Sequence, residues 1–261
     1  GTLKGMPEIV PVRAVLLDMD GTLVDSTAVV ERLWVEWARP HGIAPARVLE
    51  VVHGRQGHQS MAIMLPERDH AINLRENEIM LATEADDVDG VVEIPGAEVF
   101  LEALRTLPHA IVTSANVPLM KARMLAAGLR VPPLFVTAES VSASKPHPEG
   151  CLLGASLLGV DAADCVVFED SAAGVQAGKA AGMRVIGVGA HAAGYEPDFH
   201  VDDLTQVRVV PDVTEELAQL DGLRHRTRGA TAARVEREQH TLTALRSRPV
   251  LAAPHVLVDQ R

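Results

Sequence analysis

Asp18 and Asp20 stand two residues apart where the apolar run "AVLL" ends, and Gly21 and Thr22 follow at once in "DMDGTLVDS". Like charges at one strand end repel, so the arrangement asks for a compensating cation. An extended backbone points residues 18 and 20 the same way. Gly21 lets the chain turn, and Thr22 offers a local hydrogen bond. Two carboxylates, water and a phosphate oxygen suit Mg²⁺, a hard cation that keeps several waters. An isolated DxD is also a common turn or helix cap; the buried strand before it and the GTL after it favour a site.

Three more apolar runs end in residues of matching chemistry. "AIVTSAN" closes on Thr113 and Ser114, whose hydroxyls and backbone N–H groups suit phosphate oxygens, although Thr and Ser often end strands. "SASKPHPEG" sets Lys145 before a Pro-initiated helix, where it is either a solvated loop residue or a point charge for phosphate or carboxylates. "VVFEDSAAG" ends on Glu169 and Asp170, a second carboxylate pair that wants a cation, with a helix N-cap as the alternative for Asp170.

The elements that must position these residues are legible in outline. Runs at 14–17, 110–113, 134–136, 166–168 and 185–188 are continuously apolar, as parallel strands buried on both faces are. Helical patterns alternate with them, and "NVPLMKARMLAAG", "PEGCLLGASLLG" and "SAAGVQAGKAAG" each close on Gly. Residues 97–107 put Val99, Phe100, Ala103, Leu104 and Leu107 on one helical face. The alternation predicts an α/β fold with a doubly wound parallel sheet. Residues 26–93 break the rhythm with helical patterns and no convincing strand, so a helical cap is expected there. The core is expected over 8–25 plus 94–221. The segment 222–261 carries eight Arg against three acids and weak periodicity, which predicts a basic, flexible tail whose protein partner, if any, is unspecified.

Composition narrows the function. A net charge of −11 and 3% aromatics argue against nucleic-acid binding, which needs basic surface and stacking platforms. No apolar run is long enough to cross a bilayer, and the two cysteines, Cys151 and Cys165, form no CxxC pair and are expected as buried small hydrophobes. The expectation is a cytoplasmic enzyme without membrane or nucleic-acid partners.

As a set, "DMDGTLVDS", "VTSA", "SKPHPEG" and "FEDSAAGVQAGKAAG" resemble the motifs of the haloacid dehalogenase-like hydrolases over roughly residues 12–207. "VERLWVEWARPHG", "HGRQGHQSM" and "PGAEVFLEAL" are similar to the sugar-phosphate, 2-deoxyglucose-6-phosphate and glycerol phosphatases of that superfamily. The resemblance implies a Rossmann-like core with a helical cap and Mg²⁺-dependent hydrolysis of a small phosphorylated metabolite. It implies Asp18 as the nucleophile that becomes an aspartyl-phosphate, and Asp20 as the general acid and then base. It implies Mg²⁺ held by the Asp18 carboxylate, the Asp20 carbonyl and Asp170, with Glu169 in support. Thr113, Ser114 and Lys145 would bind the phosphoryl oxygens.

In this family the cap covers the site, so "VHGRQGHQS" (52–60) is the expected specificity loop, with His53, Gly54 and Arg55 toward substrate and Gln56, His58 and Gln59 adding hydrogen-bonding capacity. Arg55 is alternatively a solvated surface residue. Trp34 and Trp37 are expected to pack rather than stack on substrate. A β-phosphoglucomutase-like enzyme is the rival, but Val30 stands where that branch carries a His. A non-catalytic scaffold would be expected to have lost Asp18, Asp20 or Lys145.

Overall fold

The computed structural model describes residues 8–52, 55–210 and 255–258. Six strands form one parallel sheet: β2 (Ala14–Leu17), β5 (His109–Val112), β6 (Phe135–Val136), β7 (Cys165–Glu169), β8 (Arg184–Val188) and β9 (Phe199–Val201), in the order β6-β5-β2-β7-β8-β9. β2 lies between β5 and β7, with Leu17 opposite both Ile111 and Phe168.

Why these runs lack alternation is visible in their packing. Val15, Leu17, Ile111, Phe168 and Ile186 pack into one hydrophobic cluster, while Ala14, Leu16, Ala110, Val112, Val167 and Val185 pack into another on the opposite face. Both faces are therefore covered, and the period-2 signal vanishes. Helices α5 (Ala97–Ala103) and α6 (Val117–Ala126) serve the first face; α7 (Glu149–Leu158) and α8 (Ala172–Ala180) serve the second. Leu16 and Leu17 are fully buried, each contributing about 1.5–3 kcal/mol. Cys151 and Cys165 are buried and free, as expected. The face predicted for 97–107 is partly wrong. Phe100, Leu101, Leu104 and Leu107 are buried, but Val99 is 74% exposed and Ala103 is exposed as well, so the true stripe is one residue out of phase.

Between β2 and α5 the chain forms α1 (Thr27–Ala38), α2 (Pro45–Leu49), α3 (Gly57–Met64) and α4 (His70–Asp86). Two short strands, β3 (Val24–Asp25) and β4 (Val92–Glu93), pair antiparallel where the chain leaves and re-enters the core. The segment expected to hold no strand thus contains β4, too short to give a periodic signal. Trp34 is buried and meets Trp37 edge-on at 5.4 Å, and Trp37 Nε1 donates to Glu76 at 2.6 Å, so the pair packs.

A second sheet is antiparallel, with β11 (His255–Val258) between β1 (Glu8–Pro11) and β10 (Val207–Val210). Residues 255–258 belong to the stretch expected as a flexible tail; they are a central strand instead, with Val256 and Val258 fully buried. The arginine-rich part of that stretch lies outside the described residues.

Candidate active site

The parallel register delivers the site. Asp18 N–H donates to Phe168 O at 3.0 Å and Thr113 N–H to Val136 O at 2.9 Å, so both residues sit at strand carboxyl ends beside Glu169, which ends β7. Ligands of open α/β sheets bind along this rim. Lys145, in the loop before α7, reaches into it. Its Nζ donates to Asp18 Oδ1 at 2.6 Å, Glu169 Oε1 at 2.5 Å and Val112 O at 2.9 Å. Lys145 and Asp18 are each 7% exposed, so this is a buried ionic cluster and not a solvated loop lysine.

One carboxylate oxygen from each of Asp18, Glu169 and Asp170 lies within 4.8 Å of the others. One ammonium cannot balance three carboxylates. Burial, then Glu169, pushes the Asp18 carboxyl up to about 8 despite Lys145, and burial with Asp18 and Glu169 pushes Asp170 well above the ordinary range. Burial works against the Lys145 charge too, but Asp18 and Glu169 outweigh it and hold its pKa above the usual lysine value. Asp170 Oδ1 is buried with no hydrogen-bond partner among the described residues. Asp170 does not cap α8; Ser171 does, accepting from Gly174 N–H at 3.1 Å while donating to Glu169 Oε2 at 3.2 Å. Excess buried negative charge and an orphaned carboxylate oxygen fit a hard divalent cation.

Two glycines make room for these carboxylates. A Cβ on Gly174 would lie 1.8 Å from the Glu169 carboxyl carbon, and one on Gly21 would lie 1.9 Å from Asp170 Oδ2.

Asp20 accepts from Ser26 Oγ at 2.7 Å on Oδ1 and pairs with Arg123 at 2.8 Å on Oδ2. Arg123 also pairs with Glu84 of α4 at 2.7 Å. Ser26, Glu84 and Arg123 escaped the sequence reading, although one signal was present: Arg123 shares the apolar helical stripe of Leu119, Met120 and Met124, where a charge needs a buried partner.

One cleft is lined by Asp18, Asp20, Thr113, Ser114 and Arg123 from the core and by Val30, Trp34, Arg55, Asn77 and Glu84 from the helical insert. Ser114 Oγ and Asn77 Oδ1 are buried in it without partners among the described residues. Thr113 Oγ1 accepts from Ala115 N–H at 3.1 Å. Arg55 also lines an adjoining groove with Lys145, His58, Gln59 and His70. Gln59 and His58 are in α3 rather than in a loop, because the specificity stretch becomes helical at Gly57. His53 and Gly54 lie outside the described residues.

Comparison with known proteins accords with this geometry. Residues 12–182 match the haloacid dehalogenase-like hydrolase family model. Hexitol phosphatase A of Escherichia coli (strain K12) is 46% identical over 179 residues, 68% of this chain and 83% of the relative. The 2-deoxyglucose-6-phosphate phosphatase 2 of Saccharomyces cerevisiae is 32% identical over 226 residues, 75% and 89% of the two chains. The crystal structure of β-phosphoglucomutase from Clostridium difficile superposes with a TM-score of 0.63 at 20% identity, covering 83% of this chain and all of that one, a likeness of fold. Among the described residues no helix is long and apolar enough to cross a membrane. With its motifs gathered at one sheet rim and two thirds of its length matched, the chain belongs to the haloacid dehalogenase-like hydrolases.

Proposed function

We propose that this enzyme is a Mg²⁺-dependent phosphatase of small phosphorylated polyols or sugars, working through an aspartyl-phosphate on Asp18. The observation that carries the reading is the Lys145 ammonium bonded to both Asp18 and Glu169 at the rim of a cleft that Asp20, Thr113 and Ser114 also line. The phosphatases named among its relatives support the same chemistry.

Asp18 attacks phosphorus; the new bond is carboxylate oxygen to phosphorus, and the bond to the ester oxygen breaks. The leaving alkoxide takes a proton from Asp20. Asp20, now a carboxylate, takes a proton from the water that attacks the aspartyl-phosphate, releasing inorganic phosphate and restoring Asp18. Lys145, Thr113 and Ser114 donate to the phosphoryl oxygens as charge shifts among them. Asp18, the Asp20 carbonyl and Asp170, with Glu169 in support, would hold Mg²⁺, which when bound neutralises carboxylate–phosphate repulsion. Arg55 and Asn77 offer a sugar or polyol its hydrogen bonds from the cap side. Hydrolysis is favoured over phosphate transfer because Val30, 8% exposed and lining the cleft, has no group with which to gate a proton donor.

A panel of phosphorylated metabolites assayed with and without Mg²⁺ tests this. Phosphate release should require the ion, and Asp18→Asn should abolish it while the protein melts cooperatively. Substantial turnover by that variant would remove Asp18 as nucleophile.

A further inference from the structure

Three charged side chains join the core to the insert. Arg123 of α6 pairs through one terminal nitrogen with Asp20 Oδ2 at 2.8 Å and through the other with Glu84 Oε2 of α4 at 2.7 Å. The Arg123 and Glu84 side chains are 4% and 7% exposed. Apolar side chains of similar volume would usually serve stability there as well or better, because desolvating such charges costs as much as their attraction returns. The stripe that holds Arg123 is otherwise Leu119, Met120 and Met124, and the cleft opens directly beside it. The charges therefore need an explanation outside packing.

We infer that Arg123 is a positioning residue for Asp20, and that Glu84 ties the orientation of that carboxyl to the place of α4 over the cleft. The inference rests on the reading of Asp20 as proton donor. Arg123 holds Oδ2 through one terminal nitrogen at 2.8 Å, and its own side chain is buried and tied to Glu84 through the other. Among the described residues Oδ1 is held by the Ser26 hydroxyl alone, a partner whose hydrogen can rotate. Oδ1 is thus the oxygen that gives the proton to the leaving alkoxide and takes one from water. Glu84 holds the guanidinium from the other side, so a displacement of α4 shifts Arg123 and, through it, Asp20.

The test uses leaving groups. An alkoxide needs a proton as it departs; p-nitrophenolate does not. The full-length enzyme with Mg²⁺ is assayed for kcat/KM on an alkyl phosphate, phenyl phosphate and p-nitrophenyl phosphate. Losing the aim of a general acid should cost Arg123→Met about 10²-fold on the alkyl ester and less than about fivefold on the nitrophenyl ester. Glu84→Gln should show a smaller loss of the same selectivity, and the double variant should be no worse than Arg123→Met alone. Because Arg123→Met strands a buried Glu84, Arg123→Met/Glu84→Met removes both charges and keeps the measurement available if the single variant unfolds. Equal losses on all three esters would mean that Arg123 meets substrate directly and would overturn the inference; multiplying losses would overturn the part played by Glu84. Asp20→Asn separates the two levels. If it too loses activity without regard to leaving group, the proton-donor reading fails; if it is selective and Arg123→Met is not, only the inference does.

Discussion

Gly21 and Asp170 compete for one volume: a Cβ on Gly21 would sit 1.9 Å from Asp170 Oδ2. Gly21 also has φ of +82°, a conformation that L side chains rarely adopt. The turn after the Asp18–Asp20 pair is thus shaped around a carboxylate that comes from the far side of the sequence.

Gly21→Ala should therefore push Asp170 from its place and distort the turn. A displacement of about 1 Å among reacting groups costs on the order of 10²-fold in rate, so kcat should fall by at least that much and the Mg²⁺ requirement should rise. A titration of activity against Mg²⁺ reads both. An alanine variant with unchanged Mg²⁺ dependence would show that Asp170 has no part in holding the ion.

The acidic cluster also sets a pH dependence for the protein in chelator. Asp18 titrates at about 8 in the fold against 3.8 as the ordinary value, and Asp170 is raised as well, both first by burial. The folded protein binds these protons more tightly than the unfolded chain, so stability falls as pH rises. Burial lowers the His58 and His109 pKa values, which acts the other way in the same window, so the effect is read as a difference: the melting temperature of the parent in chelator should fall relative to that of Asp18→Asn between about pH 4 and pH 8. Saturating Mg²⁺ should flatten that decline and add about 2.7 kcal/mol at a hundredfold excess over its dissociation constant. A parent whose melting temperature does not fall relative to Asp18→Asn across this window in chelator would contradict the charge balance described for the site.

Lys145 makes the complementary case. Replacing it with Met leaves Asp18 and Glu169 buried without their shared cation, and breaking a buried pair from one side costs about 3–5 kcal/mol. Lys145→Met should melt well below the parent and lose phosphate release. Adding Glu169→Gln should restore part of the melting temperature and none of the activity, because the phosphoryl oxygens still lack the ammonium. Recovery of turnover in the double variant would assign Lys145 to structure alone.

Much of the site was legible because several of its residues sit where an apolar run stops, and a parallel sheet lines up such stops on one rim. Asp18, Thr113 and Glu169 needed only strand ends to be found. Lys145 needed its Pro-initiated helix. The Arg123–Glu84 pair was harder, since it joins residues 39 apart on two helices whose contact no local pattern encodes. Val99 misled for a related reason: a short helix offers few turns over which to fix the phase of its buried face. The antiparallel sheet was the least visible, because β1 and β11 pair from opposite ends of the chain and each is only four residues long.

That pairing gives a last expectation. β11 is the central strand of a three-stranded sheet and pairs with both of the others, with Ile9 opposite Leu257 on one side and Arg208 opposite Leu257 on the other. Val256 and Val258 are fully buried, and losing two such side chains costs at least about 3 kcal/mol. Without β11, β1 and β10 also keep unpaired edges, which favours association with other chains. Removing residues 255–261 should therefore lower the melting temperature by several degrees and promote aggregation. No residue of this sheet lines the cleft, so kcat measured well below the melting transition should stay near that of the full chain. A truncated protein as stable as its parent would show that the strand contributes nothing to the fold; a collapse of kcat in a protein still folded would tie this sheet to the site instead.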